Sequence, residues 1–279
     1  MKHAIFWLSL FRKLSTKSAR FDTIRLLCGS FPFIISKAGG SSNGRTSPFE
    51  GEYLGSSPSP PALLRRFMKT VYFVRHGQSE GNAGDFHQGP ATPITEKGRT
   101  QAQFIAERCV TLPIEAVISS AMKRTRETAH VIAKKINKPL ESSDLFVERR
   151  RPAEQLDRPT NDPEAVRISK ILRENFTVPG YRYSNEENFD DLKARAQMAL
   201  AYLEKRPEKN ILVVTHGLFL RALLSVVVFG KELTAREFLK MSDAFYTENT
   251  GMTVLCLEEH ENKPPEWWVW IWNDHAHLG

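Results

Sequence analysis

TVYFVRHGQSEGN, residues 70–82, decides how the rest of the chain is read. Val71 to Val74 is β-branched and aromatic, and the run stops at a charged pair and a glycine. That pattern reads as a buried strand delivering side chains to its C-terminal edge. In open α/β sheets this edge is where ligands bind. A histidine there, flanked by Arg75 and by Gly77 that would let a ligand approach the backbone, is equipped to handle phosphate. Taken alone, the triplet is equally a strand end with a satisfied histidine. Partners must come from elsewhere in the chain.

A second strand supplies one. NILVVTHGLFL, residues 210–220, places Ile211 to Val214 in a run typical of a strand covered on both faces. It stops at Thr215-His216-Gly217. The apolar stretch continues to Phe229, a membrane span by length, but His216 and Arg221 in its middle argue for a buried strand, a functional turn and a helix. Between the two histidine motifs lies SSAMKRTRETAHVIA, residues 119–133, in which a short strand ending at Ser119-Ser120 runs into a helix.

These three segments resemble the signatures of the histidine phosphatase (phosphoglycerate mutase-like) superfamily, over roughly residues 70–226. The resemblance implies a three-layer α/β sandwich with a largely parallel central sheet. It implies a phosphatase acting on small phosphate monoesters through a phosphohistidine, with neither cofactor nor metal, the positive charge coming from arginines and histidine. His76 would attack phosphorus, and Arg75, Arg124 and His216, with Asn82, would hold the phosphoryl oxygens. Arg124 is the arginine that matches, since the first turn after a strand's C-terminal edge faces the same crevice as His76. Lys123 and Arg126 read as solvated charges, Thr128 and His130 as packing or surface positions. Glu148, in LFVERRR, matches the acid that protonates the leaving oxygen. Such an acid must hold a proton at neutral pH, so Arg149, Arg150 and Arg151 should point away or bind an anionic part of the substrate.

The sequence departs from the family pattern in two places. Pro152-Ala153-Glu154-Gln155 replaces the family's glycine-containing continuation, which makes Glu154 the fallback acid. The loop Ala83 to Pro93 is a residue short, and Ala91 stands where an aspartate is usual. Both departures count against a phosphoglycerate mutase, which is the main alternative; a non-catalytic phosphate-binding module is the other.

Composition narrows the partners. Residues 1–67 hold 10 of the 39 basic and 3 of the 32 acidic residues, so the remaining chain carries 29 of each sign. The globular part is not basic, and nucleic-acid binding has no support from charge. Residues 1–67 are Gly/Ser/Pro-rich in places and lack period, and read as lying outside a domain spanning 68–279. Three origins compete: an Arg/Ser-rich targeting segment, a membrane-surface helix, or translated non-coding DNA, since SSNGRT and GSSP are what the D-arm and T-arm of a transfer-RNA gene would encode. Cys28, Cys109 and Cys256 form no disulfide or metal pattern and suit thiols of a reducing, cytoplasmic compartment.

Asn161-Asp162-Pro163-Glu164 starts a helix ending near Asn175, and a further helix is expected over Phe189 to Lys205. Thr253 to Leu257 and Trp267 to Trp272 read as strands. Strict alternation would put Trp268, Trp270 and Trp272 on one face and Trp267, Val269 and Ile271 on the other. His275 and His277 make a poor metal pair.

Overall fold

The computed structural model describes residues 67–279, so the readings of residues 1–66 lie outside the described residues. Six strands form one sheet: β1 (Phe67–Arg75), β2 (Ala116–Ser120), β3 (Leu140–Ser143), β4 (Asn210–Thr215), β5 (Met252–His260) and β6 (Lys263–Asp274), in spatial order β3-β2-β4-β1-β5-β6. β1, β2, β3 and β4 run parallel, while β5 lies antiparallel to β1 and β6 antiparallel to β5. The largely parallel sandwich is thus present, with an antiparallel edge.

Alternation along the strands builds the two outer layers. Val71, Phe73, Ile211 and Val213 face one cluster, shared with α5 (Phe189–Lys205) and α6 (Gly217–Phe229). Val74, Leu212, Val214 and Val117 face the other, shared with α2 (Glu96–Cys109) and α3 (Lys123–Ile136). No residue from Ile211 to Val214 is exposed, as expected of a central strand. Among the described residues no helix is long and apolar enough to cross a membrane.

Local chemistry explains where helices begin. Asp162 accepts from the amides of Glu164 and Ala165 ahead of α4 (Pro163–Asn175), and Asn188 forms a reciprocal box with Asp191 ahead of α5. Both helices keep the bounds read from sequence. The remaining helices are the four-residue α1 (Glu80–Ala83) and α7 (Ala235–Ala244).

Two expectations need correction. β1 starts at Phe67, one residue before the expected boundary; Phe67 pairs with Glu258 and its ring meets Trp270 edge-on at 5.3 Å. The alternation of tryptophans also fails. Leu255 pairs with Val269 but Val254 with Ile271, so Trp270 is an extra residue in a bulge, 57% exposed. The bulge resets the pleat, and Trp267, Val269 and Trp272 all pack on the same cluster. Cys109 and Cys256 are buried, and burial pushes their thiols up to about 12 and about 11.

Candidate active site

The pairing of β1 with β4 brings the two histidines together. Arg75 is in register with Thr215, and the His76 amide donates to the Thr215 carbonyl at 3.0 Å. His76 and His216 therefore leave adjacent strand ends at one level, with ring centroids 5.2 Å apart. Nδ1 of His76 lies 2.7 Å from the Gly77 carbonyl, an acceptor only, so Nδ1 carries the hydrogen and Nε2 holds the free lone pair. The turn is pinned by Gly77 N–H donating to Thr128 Oγ1 (3.1 Å) and by Asn249 Nδ2 donating to the His76 carbonyl (2.9 Å). Thr128, read as a packing residue, thus also holds the site. Gly77 has a different reason from the one expected: a Cβ there would meet the Gly98 carbonyl oxygen of α2 at 2.5 Å, so close packing of the helix on the turn demands glycine.

Electrostatics keep both rings neutral. Burial, then the charges of Arg124 and Arg75, hold His76 well below its ordinary value, and burial followed by Arg124 does the same for His216. These imidazoles take up protons at mildly acid pH only on unfolding. The unfolded state then binds more protons, so stability falls as pH drops below about 6.5, by ~1.4 kcal/mol per pH unit for each such histidine. His277, brought down to about 4 by burial, has the same sign. Urea unfolding at pH 7 and pH 5.5 measures this loss, and His76→Asn should make it shallower. A stability independent of pH over that range would contradict neutral, buried rings.

The cations come from three directions. Arg75, at the end of β1, donates from Nη1 to the Thr247 carbonyl, while its buried Nε has no protein partner. Arg124, in the first turn of α3, is 2% exposed; its Nη1 donates to the Gly89 carbonyl at 3.0 Å and its Nε is likewise unpartnered. Burial lowers Arg124 to about 10 against the pull of Glu148, which leaves it charged at neutral pH. Asn82 sits in α1 with Oδ1 accepting from the Ser79 hydroxyl (2.9 Å) and amide (3.3 Å), which turns its amide nitrogen away from those contacts.

Glu148 is placed by the three residues of backbone just before it. The Phe146 carbonyl accepts from Thr215 Oγ1 (2.7 Å), and the Val147 and Leu145 carbonyls accept from Arg195 Nη1 (2.7 and 3.0 Å). The carboxylate caps α6: Oε1 accepts from Phe219 N (3.0 Å) and Arg149 N (2.9 Å), and Oε2 from Leu218 N (3.2 Å). Arg195 is itself clamped by Glu187 through two 2.6 Å contacts, both side chains buried, with its guanidinium 4.2 Å from the centre of the Phe219 ring. Arg195→Met strands the Glu187 carboxylate in the interior and should cost about 3–5 kcal/mol by denaturant unfolding. Adding Glu187→Gln should recover part of it; no recovery would mean the charge pair is not what holds this segment.

Arg75, His76, Asn82, Arg124 and Glu148 line one cleft of about 730 Å³, and His216 lies against His76 without exposure. All six residues expected from sequence are thereby brought together. Glu154 is not: it accepts from Ser184 Oγ at 3.0 Å and does not line the cleft. Nor do Arg149, Arg150 and Arg151 point away, since all three line it, as do Arg221 and Tyr246, which sequence reasoning missed. Arg221 carried a signal, being four residues after Gly217 on the same helical face. Tyr246 and Thr247 carried none, because a loop after α7 brings them in from far along the chain.

A family model described as the histidine phosphatase superfamily (branch 1) matches residues 71–269. A protein of Enterobacter sp. (strain 638) named probable phosphoglycerate mutase GpmB is 36% identical over 219 residues, covering 76% of this chain and 95% of that one. Its namesake from Salmonella arizonae is 34% identical over the same spans. Among solved structures, Bacillus stearothermophilus YhfR superposes with a TM-score of 0.62 at 22% identity, over 76% of this chain and all of that one. The mycobacterial glucosyl-3-phosphoglycerate phosphatase complexed with VO3 gives 0.60 at 20% identity, over 74% of this chain and all of that one. These two structural likenesses concern the fold.

Proposed function

The chain belongs to the histidine phosphatase superfamily, and on that premise we propose that it hydrolyses small phosphate monoesters through a phosphohistidine on His76. The observation that carries the reading is the neutral His76 ring with Nδ1 tied to Gly77 and Nε2 free, inside a cleft ringed by Arg75 and Arg124. Nε2 attacks phosphorus in line, and the bond to the ester oxygen breaks as the new P–N bond forms. Guanidinium nitrogens of Arg75 and Arg124, the Asn82 amide and His216 take the phosphoryl oxygens and stabilise the charge spreading over them. Glu148, on the same cleft, gives its proton to the departing oxygen. It then takes a proton from the water that attacks phosphorus, which releases phosphate and frees His76.

Arginines beyond those two sharpen the substrate class. Arg149, Arg150, Arg151 and Arg221 share the cleft with only Glu148, Asp85 and Asp144 as carboxylates. An alcohol bearing its own acidic group would match that surplus. A panel of phosphate monoesters, read by phosphate release, tests both points: esters of acidic alcohols should show KM values roughly tenfold or more below those of neutral alcohols of the same size, the worth of one good charge contact. Equal KM values across the panel would remove the acidic group from the proposal, and no phosphate release from any ester would remove the phosphatase.

The mutase reading keeps one specific support, the name that the 31–36% identical relatives carry. Such an enzyme would return the phosphoryl group from His76 to a phosphoglycerate. Incubation with a phosphoglycerate separates the two, by free phosphate in one case and the isomeric ester in the other.

A further inference from the structure

We propose that Ser120 is a positioning residue that sets the tautomer of His216, so that His216 offers the phosphoryl group a neutral N–H donor at Nδ1. Ser120 ends β2, the strand beside β4, and has no exposure. Its Oγ lies 2.9 Å from Nε2 of His216. It also accepts from the Met122 amide at 3.3 Å, and among the described residues His216 Nε2 is the acceptor that its hydroxyl hydrogen meets. Were the ring hydrogen on Nε2, two donors would converge on Oγ and the hydroxyl hydrogen would be buried without a partner, which proteins avoid. The hydroxyl therefore donates, Nε2 accepts, and the hydrogen of a neutral ring sits on Nδ1.

Nδ1 is the nitrogen left without a protein partner among the described residues, buried in a ring whose centroid lies 5.2 Å from that of His76. His216 also stands at the N-cap of α6 without capping it, because the first amides of that helix go to Glu148 instead. Its ring is thus free of the task that would have occupied Nδ1. The two histidines then hold the same tautomer, hydrogen on Nδ1 and lone pair on Nε2, but present opposite nitrogens: His76 spends its Nδ1–H on Gly77 and keeps Nε2 free, whereas His216 spends its Nε2 lone pair on Ser120 and keeps Nδ1–H free. One attacks and the other donates, with neither carrying charge. This goes beyond the phosphohistidine reading, and its catalytic consequence rests on that reading.

Nitrogen-15 NMR of the ring nitrogens in the unliganded wild-type protein tests the tautomer without any variant. His216 should show a pyrrole-type shift at Nδ1 and a pyridine-type shift at Nε2, and His76 the same pattern for its own reason. Ser120→Ala should move His216 towards the Nε2–H form and lower kcat on the order of tenfold to a hundredfold, with KM changing less, as for loss of one oxyanion donor. Ser120→Cys, which keeps a weak donor, should recover part of both effects. A wild-type His216 carrying its hydrogen on Nε2, or a folded Ser120→Ala protein with the wild-type tautomer, overturns the proposal even where His76 is phosphorylated normally. If His76 is never phosphorylated, the reaction is misread, yet the NMR pattern still decides the tautomer.

Discussion

A folded His76→Ala protein is expected to lose turnover of every phosphate ester by on the order of 10⁴-fold or more, the scale seen when a nucleophile acting as part of a unit is removed. Among the described residues nothing nearby can replace it. The Nε2 of His216 is taken by Ser120, and that ring lies without exposure against His76. Cys109 and Cys256 are buried in the opposite helical layer's cluster with thiols held at about 12 and about 11, so neither supplies a thiolate at neutral pH. The fold should survive, because the imidazole contributes one hydrogen bond to the neighbouring carbonyl and the strand register is set by backbone pairing. Circular dichroism and steady-state assay on the same preparation check both halves. Near-normal activity in the folded variant would remove His76 from the chemistry.

Glu148→Gln should separate substrates by their leaving groups. An alkyl phosphate, whose alkoxide leaves only with a proton, is expected to slow by on the order of a hundredfold or more; an activated aryl phosphate, whose phenolate leaves unaided, should change little. The substitution keeps one oxygen to accept from Phe219 N and Arg149 N, but it turns an amide nitrogen or loses an acceptor towards Leu218 N. Glu148→Asp, which restores the charge at shorter reach, controls for that. Equal losses on both substrates would mean that Glu148 serves α6 rather than the leaving group. Glu154→Gln, with its carboxylate on Ser184 and away from the cleft, should leave both substrates unchanged.

What sequence revealed and what it hid follow from range. A strand that stops at a charged pair is a local event, so the ends of β1 and β4 could be read one at a time, and two parallel strands ending in His-Gly converge once they pair. Caps are local too, which is why α4 and α5 kept their bounds from Asp162 and Asn188. The bulge at Trp270 is different, since it is fixed by register against β5 rather than by any residue of β6. Ser120 looked like the tail of a short strand, and only β2 lying beside β4 puts its hydroxyl on His216, 96 residues away. The Arg195–Glu187 clamp that carries the backbone before Glu148 left no local signal, because Arg195 reaches carbonyls 48 and 50 positions earlier in the chain. Arg149, Arg150 and Arg151 posed a choice that charge could not decide: a run of arginines beside an acid can face either way, and the segment's path along the cleft settles it.

The most direct test of the phosphohistidine is to trap it. The protein is mixed with a phosphorus-labelled monoester, quenched within the first turnovers in alkali, where phosphohistidine persists and acyl phosphates do not, digested, and mapped by mass spectrometry. The expected result is label on the peptide containing His76, attached at Nε2 because Nδ1 is held by the Gly77 carbonyl, and formed no more slowly than turnover. Label on His216, attachment at Nδ1, or turnover with no protein-bound label at all would contradict it.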